Sequence, residues 1–224
     1  PIYINSEEEI IVGTVDFVFL DCISLSDRFL KSLKYKHHVK TVISLSPVFN
    51  NYNYVDFLFT RSTYKDTSNT NKSPVNIKVG PQYSILGHNL TKTNAGRYEE
   101  NLMSPIFSIG ISMGATDPLN MTKSILTALS NWKQSCLIWI AVGDGYEHNI
   151  HDLKDITMND SKHELVIVST NDSFWSVFQN TTLLILQGGV TTYEAAFCGI
   201  PCINIPRSAD HKDLTSDLIQ RKLS

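Results

Sequence analysis

The residues best suited to bind a ligand stand at a junction between an apolar run and a helix-like segment late in the chain. The apolar run ends at Leu186, the pair Gly188 and Gly189 follows, and the helix-like segment begins at about Thr191. Glycine lets a backbone approach a ligand closely, and the N–H groups at a helix start favour anions. Glu194, one turn further on, could accept hydrogen bonds from two vicinal ribose hydroxyls. The junction predicts a nucleoside diphosphate site; the alternative is a glutamate that only complements the helix dipole.

A second junction of the same kind lies earlier in the chain. The apolar run at 106–112 leads into a small-residue loop around Gly114, and the pattern predicts a helix over residues 118–129. Asp117 or the threonine before it can cap this helix, and Pro118 suits the first helical position. The loop can bring backbone N–H groups to a ligand, but a tight, well-capped turn explains the same residues.

Other polar groupings have simpler explanations. Residues 143–145, Gly-Asp-Gly, predict a tight turn in preference to a contact with a base. His148 and His151 lie in an acidic loop, where exposure to solvent explains them better than metal binding. Cys198 and Cys202 lack partners at ligand spacing, so free thiols are expected, with no metal and no cofactor. The tryptophans are expected to pack in the core or at its edge: Trp132, Trp139 and Trp175.

The composition excludes several classes of protein. The 224 residues include 19 Lys or Arg and 22 Asp or Glu, so the net charge is −3 and a nucleic-acid partner is not expected. No apolar run reaches the roughly 18 residues that are needed to span a bilayer. The N-terminal residues lack a basic start followed by an apolar core, and reduced cysteines point to the cytoplasm.

Strand-like and helix-like segments alternate along the chain. Apolar strands separated by helical patterns are typical of parallel sheets covered by helices on both faces. Polar residues between about 87 and 105 separate two halves, which we place at residues 1–95 and 105–224. No Gly-x-Gly-x-x-Gly motif follows a strand, which disfavours a dinucleotide-dependent enzyme.

Three segments of the second half carry a more specific signal: ISMGATDPLNMT, QGGVTTYEAAFCGIPCINIP and the polar SADHKD loop. Together they resemble the C-terminal domain of glycosyltransferase family 28. In particular, they resemble the UDP-sugar hydrolases of pseudaminic acid biosynthesis, to which VDFVFLDCISLSDRFLKSLK, VDFLFT and GPQYSILG are also similar. The resemblance implies a GT-B fold, in which two Rossmann-like domains hold a nucleotide-sugar such as a UDP-sugar.

The resemblance also implies roles for individual residues. The diphosphate would be held by Gly188, Gly189, Val190, Thr191 and Thr192. Glu194 would bind the ribose. The phosphates or the sugar would be faced from the earlier loop by Ser112, Gly114, Ala115 and Thr116. Asp210 and His211 would stand beside the donor sugar, where the family has a polar Asn-Gln pair.

The sequence departs from this family at two places. The glycine-rich loop with Gly-His and a following Arg, which supplies the family's proposed catalytic histidine, is not in this chain. No catalytic residue is therefore assigned, and the N-terminal domain is expected to be incomplete. The family's first C-terminal loop is usually Gly-Gly followed by Ser or Ala and Asp, whereas residues 113–117 are Met-Gly-Ala-Thr-Asp.

The expected function is that of an enzyme that uses a nucleotide-sugar in surface-glycan biosynthesis. Glycosyl transfer and hydrolysis of a UDP-sugar both remain open. The alternative is a non-catalytic nucleotide-sugar binding module that lacks the catalytic loop. The oligomeric state is left open.

Overall fold

The computed structural model describes residues 15–21, 25–45, 54–61, 76–87, 95–158, 162–169 and 174–207, together with positions 13, 90, 212, 215, 216 and 218. Two compact units cover Pro1–Ser84 and Ile85–Ser224. The predicted loop at 66–74 lies outside the described residues, and the predicted helix at 213–222 lies largely outside them.

The first unit contains a four-stranded parallel sheet whose strands follow one another in chain order. Its elements are β1 (Phe17–Leu20), α1 (Asp27–Tyr35), β2 (Thr41–Ser44), β3 (Phe57–Thr60), β4 (Asn76–Val79) and a 3-10 turn at Pro81–Tyr83. The first three strands and α1 agree with the sequence pattern. The pattern does not predict β4, whose four residues are all exposed and include a lysine and an asparagine.

The core of the first unit lies between the sheet and α1. The helix begins after a serine cap, where the Phe29 N–H donates to Ser26 Oγ over 3.2 Å. Phe29, Leu30 and Leu33 are spaced to share one face of the helix, and all three are buried. They form one cluster with Leu58 of β3, and this cluster supports the sheet on the side of α1.

The second unit contains five parallel strands and five helices among the described residues. Its elements are α2 (Ala95–Met103), β5 (Phe107–Ser112), α3 (Met121–Ser130), β6 (Cys136–Val142), α4 (Ile150–Met158), β7 (Glu164–Ser169), α5 (Trp175–Phe178), β8 (Leu183–Leu186), α6 (Val190–Cys198) and β9 (Cys202–Asn204). The predicted α/β class with two parallel sheets flanked by helices is confirmed. None of the helices in the described ranges has the length and apolar character of a membrane span.

Helices cover both faces of the second sheet. Neighbouring residues of a strand point to opposite sides of the sheet, so strands that are apolar throughout have apolar side chains to bury on each face. Ile109 and Ile138 belong to a buried cluster with Leu126 of α3, on one face. Leu184 belongs to a second cluster with Phe178 of α5, on the other face. Strands buried on both faces explain the continuous apolar runs of the sequence.

The strand order of this sheet is β7-β6-β5-β8-β9. From β5 the chain proceeds through β6 to β7 on one side, and it then returns to place β8 and β9 on the other. The order therefore reverses between β5 and β8. In open α/β sheets, the crevice at the carboxyl ends of the strands beside such a reversal is where ligands bind.

Two helices occupy stretches that the sequence pattern assigns to loops. α2 lies in the polar segment between the two predicted halves, and its Tyr98 hydroxyl donates to the Thr182 carbonyl oxygen over 3.1 Å. α4 lies where an acidic loop is expected. Leu153 of α4 is nevertheless fully buried, and Ile156 of the same helix packs against the cluster that contains it.

The tryptophans and cysteines pack as expected. Trp132 lies edge-on against Phe107, with 5.5 Å between ring centroids, and Trp175 is buried in the second cluster, against which Trp139 also packs. None of the cysteines in the described part of the chain forms a disulfide: Cys136, Cys198 and Cys202. Burial raises the pKa of Cys202 to about 11, so this thiol is protonated at neutral pH.

We expect the substitution Gly110→Ala in the centre of β5 to destabilise the protein. An added Cβ would lie 2.5 Å from Leu184 Cδ2 and 3.3 Å from Phe178 Cδ1, so the core must shift to admit it. Overpacking of this kind costs about 1–3 kcal/mol of the free energy of unfolding. Urea denaturation measures the loss. Gly13→Ala is the matched control, because a Cβ there meets nothing within 4 Å; equal stability of the two variants would contradict the packing described for β5.

Candidate functional site

The two glycine-bearing loops predicted from the sequence lie side by side at the reversal between β5 and β8. Ser112 at the end of β5 is paired in register with Leu186 at the end of β8. One residue later, the Gln187 N–H donates to the Ser112 carbonyl oxygen over 3.1 Å. The Gln187 side chain lies against Gly114, so that a Cβ on this glycine would collide with Gln187 Oε1. The tertiary structure thus brings the β5–α3 loop and the β8–α6 loop into direct contact.

Backbone conformation explains the glycines in these loops. Gly114 has a φ of +86°, Gly188 of +99° and Gly189 of +87°, a region that residues with a Cβ rarely adopt. The pair at 188–189 turns the chain directly from β8 into α6. Neither glycine has a side chain that could hinder a close approach to the main chain of this turn.

The N-terminus of α6 carries no side-chain cap and has no acidic residue in its first turn. Val190 is exposed and Thr191 is half-buried at this end of the helix. The first N–H groups of a helix have no partner within the helix and carry a partial positive charge. This end of α6 has the electrostatic character that an anion requires.

Thr192 is more deeply buried than Val190 and Thr191, which precede it. It is fully buried, and its hydroxyl donates to Asn204 Oδ1 of β9 over 2.6 Å. Its backbone N–H donates to the Gly189 carbonyl oxygen over 3.3 Å. Thr192 therefore stabilises the β8–α6 loop from within, and a contact between this residue and a diphosphate stays a prediction.

The helix after the first loop begins at Met121, and the predicted start at Pro118 is wrong. The carboxylate of Asp117 is the reason, because it accepts hydrogen bonds from the N–H groups of Met121 (2.9 Å) and Thr122 (2.8 Å). Pro118 lies in a turn that precedes the helix, in which the Asn120 N–H donates to the Asp117 carbonyl oxygen over 2.9 Å. Asp117 is confirmed as a cap, and its charge offsets the positive end of α3.

Asp117 also connects this loop to the β6–α4 loop. Its carbonyl oxygen lies 2.8 Å from His148 Nε2, and the Tyr146 hydroxyl donates to Asn120 Oδ1 over 3.0 Å. Burial raises the pKa of Tyr146, and the charges of Asp117 and Asp152 raise it further. His148 is therefore half-buried in a structural contact, whereas the sequence places it in a solvated loop.

The turn at 143–145 packs on the first loop. The Tyr146 N–H donates to the Gly143 carbonyl oxygen over 3.1 Å, which closes the predicted tight turn. A Cβ on Gly143 would lie 2.6 Å from Ala115 Cα, and one on Gly145 would lie 2.8 Å from Thr116 Cγ2. Glycine is required here for close approach, and the turn supports exposed residues 115 and 116 from behind.

Glu194 lies on α6 one turn from its start and is half-buried. Trp175 Nε1–H donates to Glu194 Oε2 over 3.1 Å, and the Gly87 N–H donates to Oε1 over 3.2 Å. The sequence indicates neither partner. A buried indole N–H needs an acceptor, but nothing in the sequence shows which acceptor it finds. Each carboxylate oxygen can accept a further hydrogen bond, so the ribose contact stays a prediction.

A small pocket of about 70 Å³ opens between the first loop and the end of β9. Met113, Met121 and Ile205 line it, and Asp117 and Arg207 also contribute. Ligand pockets usually measure about 300–1,000 Å³, so this pocket by itself is too small for a nucleotide. Gln187 of the second loop also lines it. The predicted donor-sugar residues Asp210 and His211 lie outside the described residues.

No family model matches the chain. Among curated proteins, an uncharacterized protein of Methanocaldococcus jannaschii is 21% identical over 211 residues, which are 92% of this chain and 43% of that protein. The chain thus spans less than half the length of that relative.

Several solved structures have a similar fold. MurG of Acinetobacter baumannii aligns with a TM-score of 0.62 at 12% identity, over 86% of this chain and 61% of that one. HepE of Anabaena, in complex with UDP and glucose, aligns with a TM-score of 0.52 at 11% identity, over 84% and 59%. At such identities these likenesses concern the fold alone, which is of the GT-B type. The narrower resemblance to pseudaminic acid hydrolases stays a prediction.

We expect Asp117→Ala to destabilise the protein through the loss of the α3 cap. Removing a cap of this kind costs about 1–2 kcal/mol of the free energy of unfolding. Asp117→Asn retains one carbonyl acceptor and should lose less. Urea denaturation compares these variants with Glu147→Ala, which removes an exposed carboxylate of the neighbouring loop. If the Asp117 and Glu147 variants were equally stable, the cap would not hold α3 in place.

Proposed function

We propose that the second unit binds a nucleoside diphosphate sugar, with UDP as the nucleotide, in the crevice between the β5–α3 and β8–α6 loops. The observation that carries this proposal is the start of α6. Two glycines with positive φ lead there into a helix N-terminus without a side-chain cap, and Glu194 follows one turn later. This arrangement can accept an anion at the helix end and two hydroxyl donors beside it.

The two helix starts at the crevice differ in charge, and this difference supports a specific placement of the diphosphate. The carboxylate of Asp117 already occupies the start of α3, whereas the first turn of α6 has no acidic residue. We therefore place the diphosphate at Gly188, Gly189, Val190 and Thr191. The sugar or the outer side of the phosphates would face Ser112, Gly114, Ala115 and Thr116.

The reaction that we propose is cleavage of the anomeric bond of the sugar, with transfer to an acceptor hydroxyl or to water. The departing diphosphate gains negative charge as this bond breaks. The positive end of α6 would stabilise that charge in the transition state. Transfer and hydrolysis differ only in the nucleophile that reaches the anomeric carbon, and we assign no base to either among the described residues.

The comparisons support the nucleotide class that we propose. HepE, whose fold is similar, has been solved with UDP and glucose. The role in surface-glycan biosynthesis and the cytoplasmic location rest on the sequence, as do the donor-sugar contacts of Asp210 and His211. Because the chain spans 43% of its curated relative, the activity of the whole protein is part of the proposal.

Calorimetric titration of the full-length protein with UDP tests the site. We expect Glu194→Ala to weaken binding about tenfold or more, which corresponds to about 1.4 kcal/mol, because a charge-assisted contact to the ribose is lost. Glu194→Gln keeps the size of the side chain and one carbonyl oxygen, and should lose less. Glu164→Ala is the control, since this exposed glutamate begins the edge strand β7, which two strands separate from β8.

The outcome that contradicts the proposal is a folded wild-type protein that does not bind UDP. If UDP binds and Glu194→Ala weakens it, UDP-sugars are tested next for release of UDP. Binding without release would favour the non-catalytic binding module over the enzyme. Circular dichroism of each variant distinguishes a lost contact from a lost fold.

A further inference from the structure

We infer that Trp175 is a positioning residue for the nucleotide site, because its indole N–H holds the Glu194 carboxylate in the orientation that receives the ribose. This inference rests on the proposed function. It goes beyond that function by assigning a role to a tryptophan and to a backbone N–H that lie outside both glycine-bearing loops. The contact joins α5 to α6, which are separate helices on the same face of the sheet.

The hydrogen bond between Trp175 and Glu194 is well defined. Nε1 of the indole lies 3.1 Å from Oε2 of the carboxylate, and Trp175 is only 7% exposed. An indole N–H can only donate, and when it is buried it needs an acceptor. The acceptor here is a carboxylate, and hydrogen bonds to an ionised acceptor are stronger than those between neutral groups.

The direction of the indole is fixed by aromatic packing. The Trp175 ring lies 5.4 Å from the ring of Phe174 at an interplanar angle of 33°, and 6.1 Å from that of Phe178 at 80°. Phe178 is fully buried beneath the sheet. Because the donor cannot reorient freely in this cluster, it selects one orientation of a glutamate side chain that otherwise has several rotamers.

The second oxygen of the carboxylate is held from the other side. The Gly87 N–H donates to Oε1 over 3.2 Å, so each oxygen accepts one hydrogen bond from the protein. An ionised carboxylate offers about four acceptor positions, which leaves one or more on each oxygen. A carboxylate with one free position on each of two adjacent oxygens matches the two vicinal hydroxyls of a ribose. The two protein donors thus prepare Glu194 for a bidentate contact.

A structural role for Trp175 alone would affect stability, whereas a positioning role affects the preference for a ribose. The experiment therefore compares binding of UDP with binding of its 2′,3′-dideoxy analogue, which lacks both hydroxyls. We expect wild-type protein to bind UDP about tenfold tighter than the analogue. In Trp175→Phe, which keeps an aromatic ring and removes the N–H, we expect this ratio to fall to about threefold or less. The affinity for the analogue should stay within about twofold.

Two further variants separate positioning from packing. Trp139→Phe makes the same change in a second tryptophan that packs against the same cluster, and its ratio should remain that of the wild type. In a Glu194→Ala background, Trp175→Phe should have no further effect on the ratio, because the residue through which it acts is gone. A Trp175→Phe protein that keeps the wild-type ratio overturns the inference, as does an equal loss in Trp139→Phe.

An NMR measurement on protein that retains Trp175 tests the inference even if the Trp175→Phe variant does not fold. The chain contains 3 tryptophans, so the indole N–H resonance of Trp175 is assigned by elimination with Trp132→Phe and Trp139→Phe. We expect UDP to shift this resonance and the dideoxy analogue to leave it unchanged. Binding of UDP without a shift overturns the inference.

The failure of the inference and that of the proposed function have different signatures. If the wild-type protein binds neither nucleotide, the proposed function falls and the inference falls with it. If UDP binds and Glu194→Ala abolishes the ribose preference while Trp175→Phe preserves it, the proposed function stands and only the role of Trp175 is overturned.

Discussion

The parallel pairing of β5 with β8 holds the candidate site together, because this pair lies where the strand order reverses. β6 and β7 lie beside β5, and β9 lies beside β8. The helix that follows β5 packs on one face of the sheet and the helix that follows β8 packs on the other. The two connecting loops therefore diverge and leave a crevice at the carboxyl ends of the strands. The hydrogen bond from Gln187 to Ser112 continues the ladder by one residue and sets how closely the loops approach.

Charge distinguishes the two helix starts that meet at this crevice. Both have the partial positive charge of a helix N-terminus, but the β5–α3 loop carries a buried aspartate that caps its helix. The β8–α6 loop uses glycines instead, and its helix start has no side-chain cap. One loop is thus stabilised by its own carboxylate, whereas the other ends at the helix start where we propose that the diphosphate binds.

The network around Glu194 connects the stability of the second unit with its proposed site. A half-buried carboxylate accepts hydrogen bonds from an indole and from a backbone N–H, and the indole belongs to an aromatic cluster that covers the sheet. The same packing that stabilises this face also orients the carboxylate that we propose to bind the ribose. Removing one partner leaves the other without its hydrogen bond, so substitutions here are expected to affect the fold as well as the proposed binding.

The sequence by itself determined the α/β class, the positions of the glycines in the two loops, and strands such as β6. The seven consecutive apolar residues of β6 are typical of a strand that is buried on both faces. The sequence did not determine where α3 begins, because Asp117 reaches forward to N–H groups that a pattern of apolar residues does not reveal. Nor did it predict α2, whose Tyr98 bonds to the carbonyl oxygen of Thr182, or α4, whose Leu153 is buried only when the chain is folded. The partners of Glu194 lie 19 and 107 residues away along the chain. Only the tertiary structure decided these contacts, because a hydrogen bond between distant residues depends on the packing of the elements that carry them.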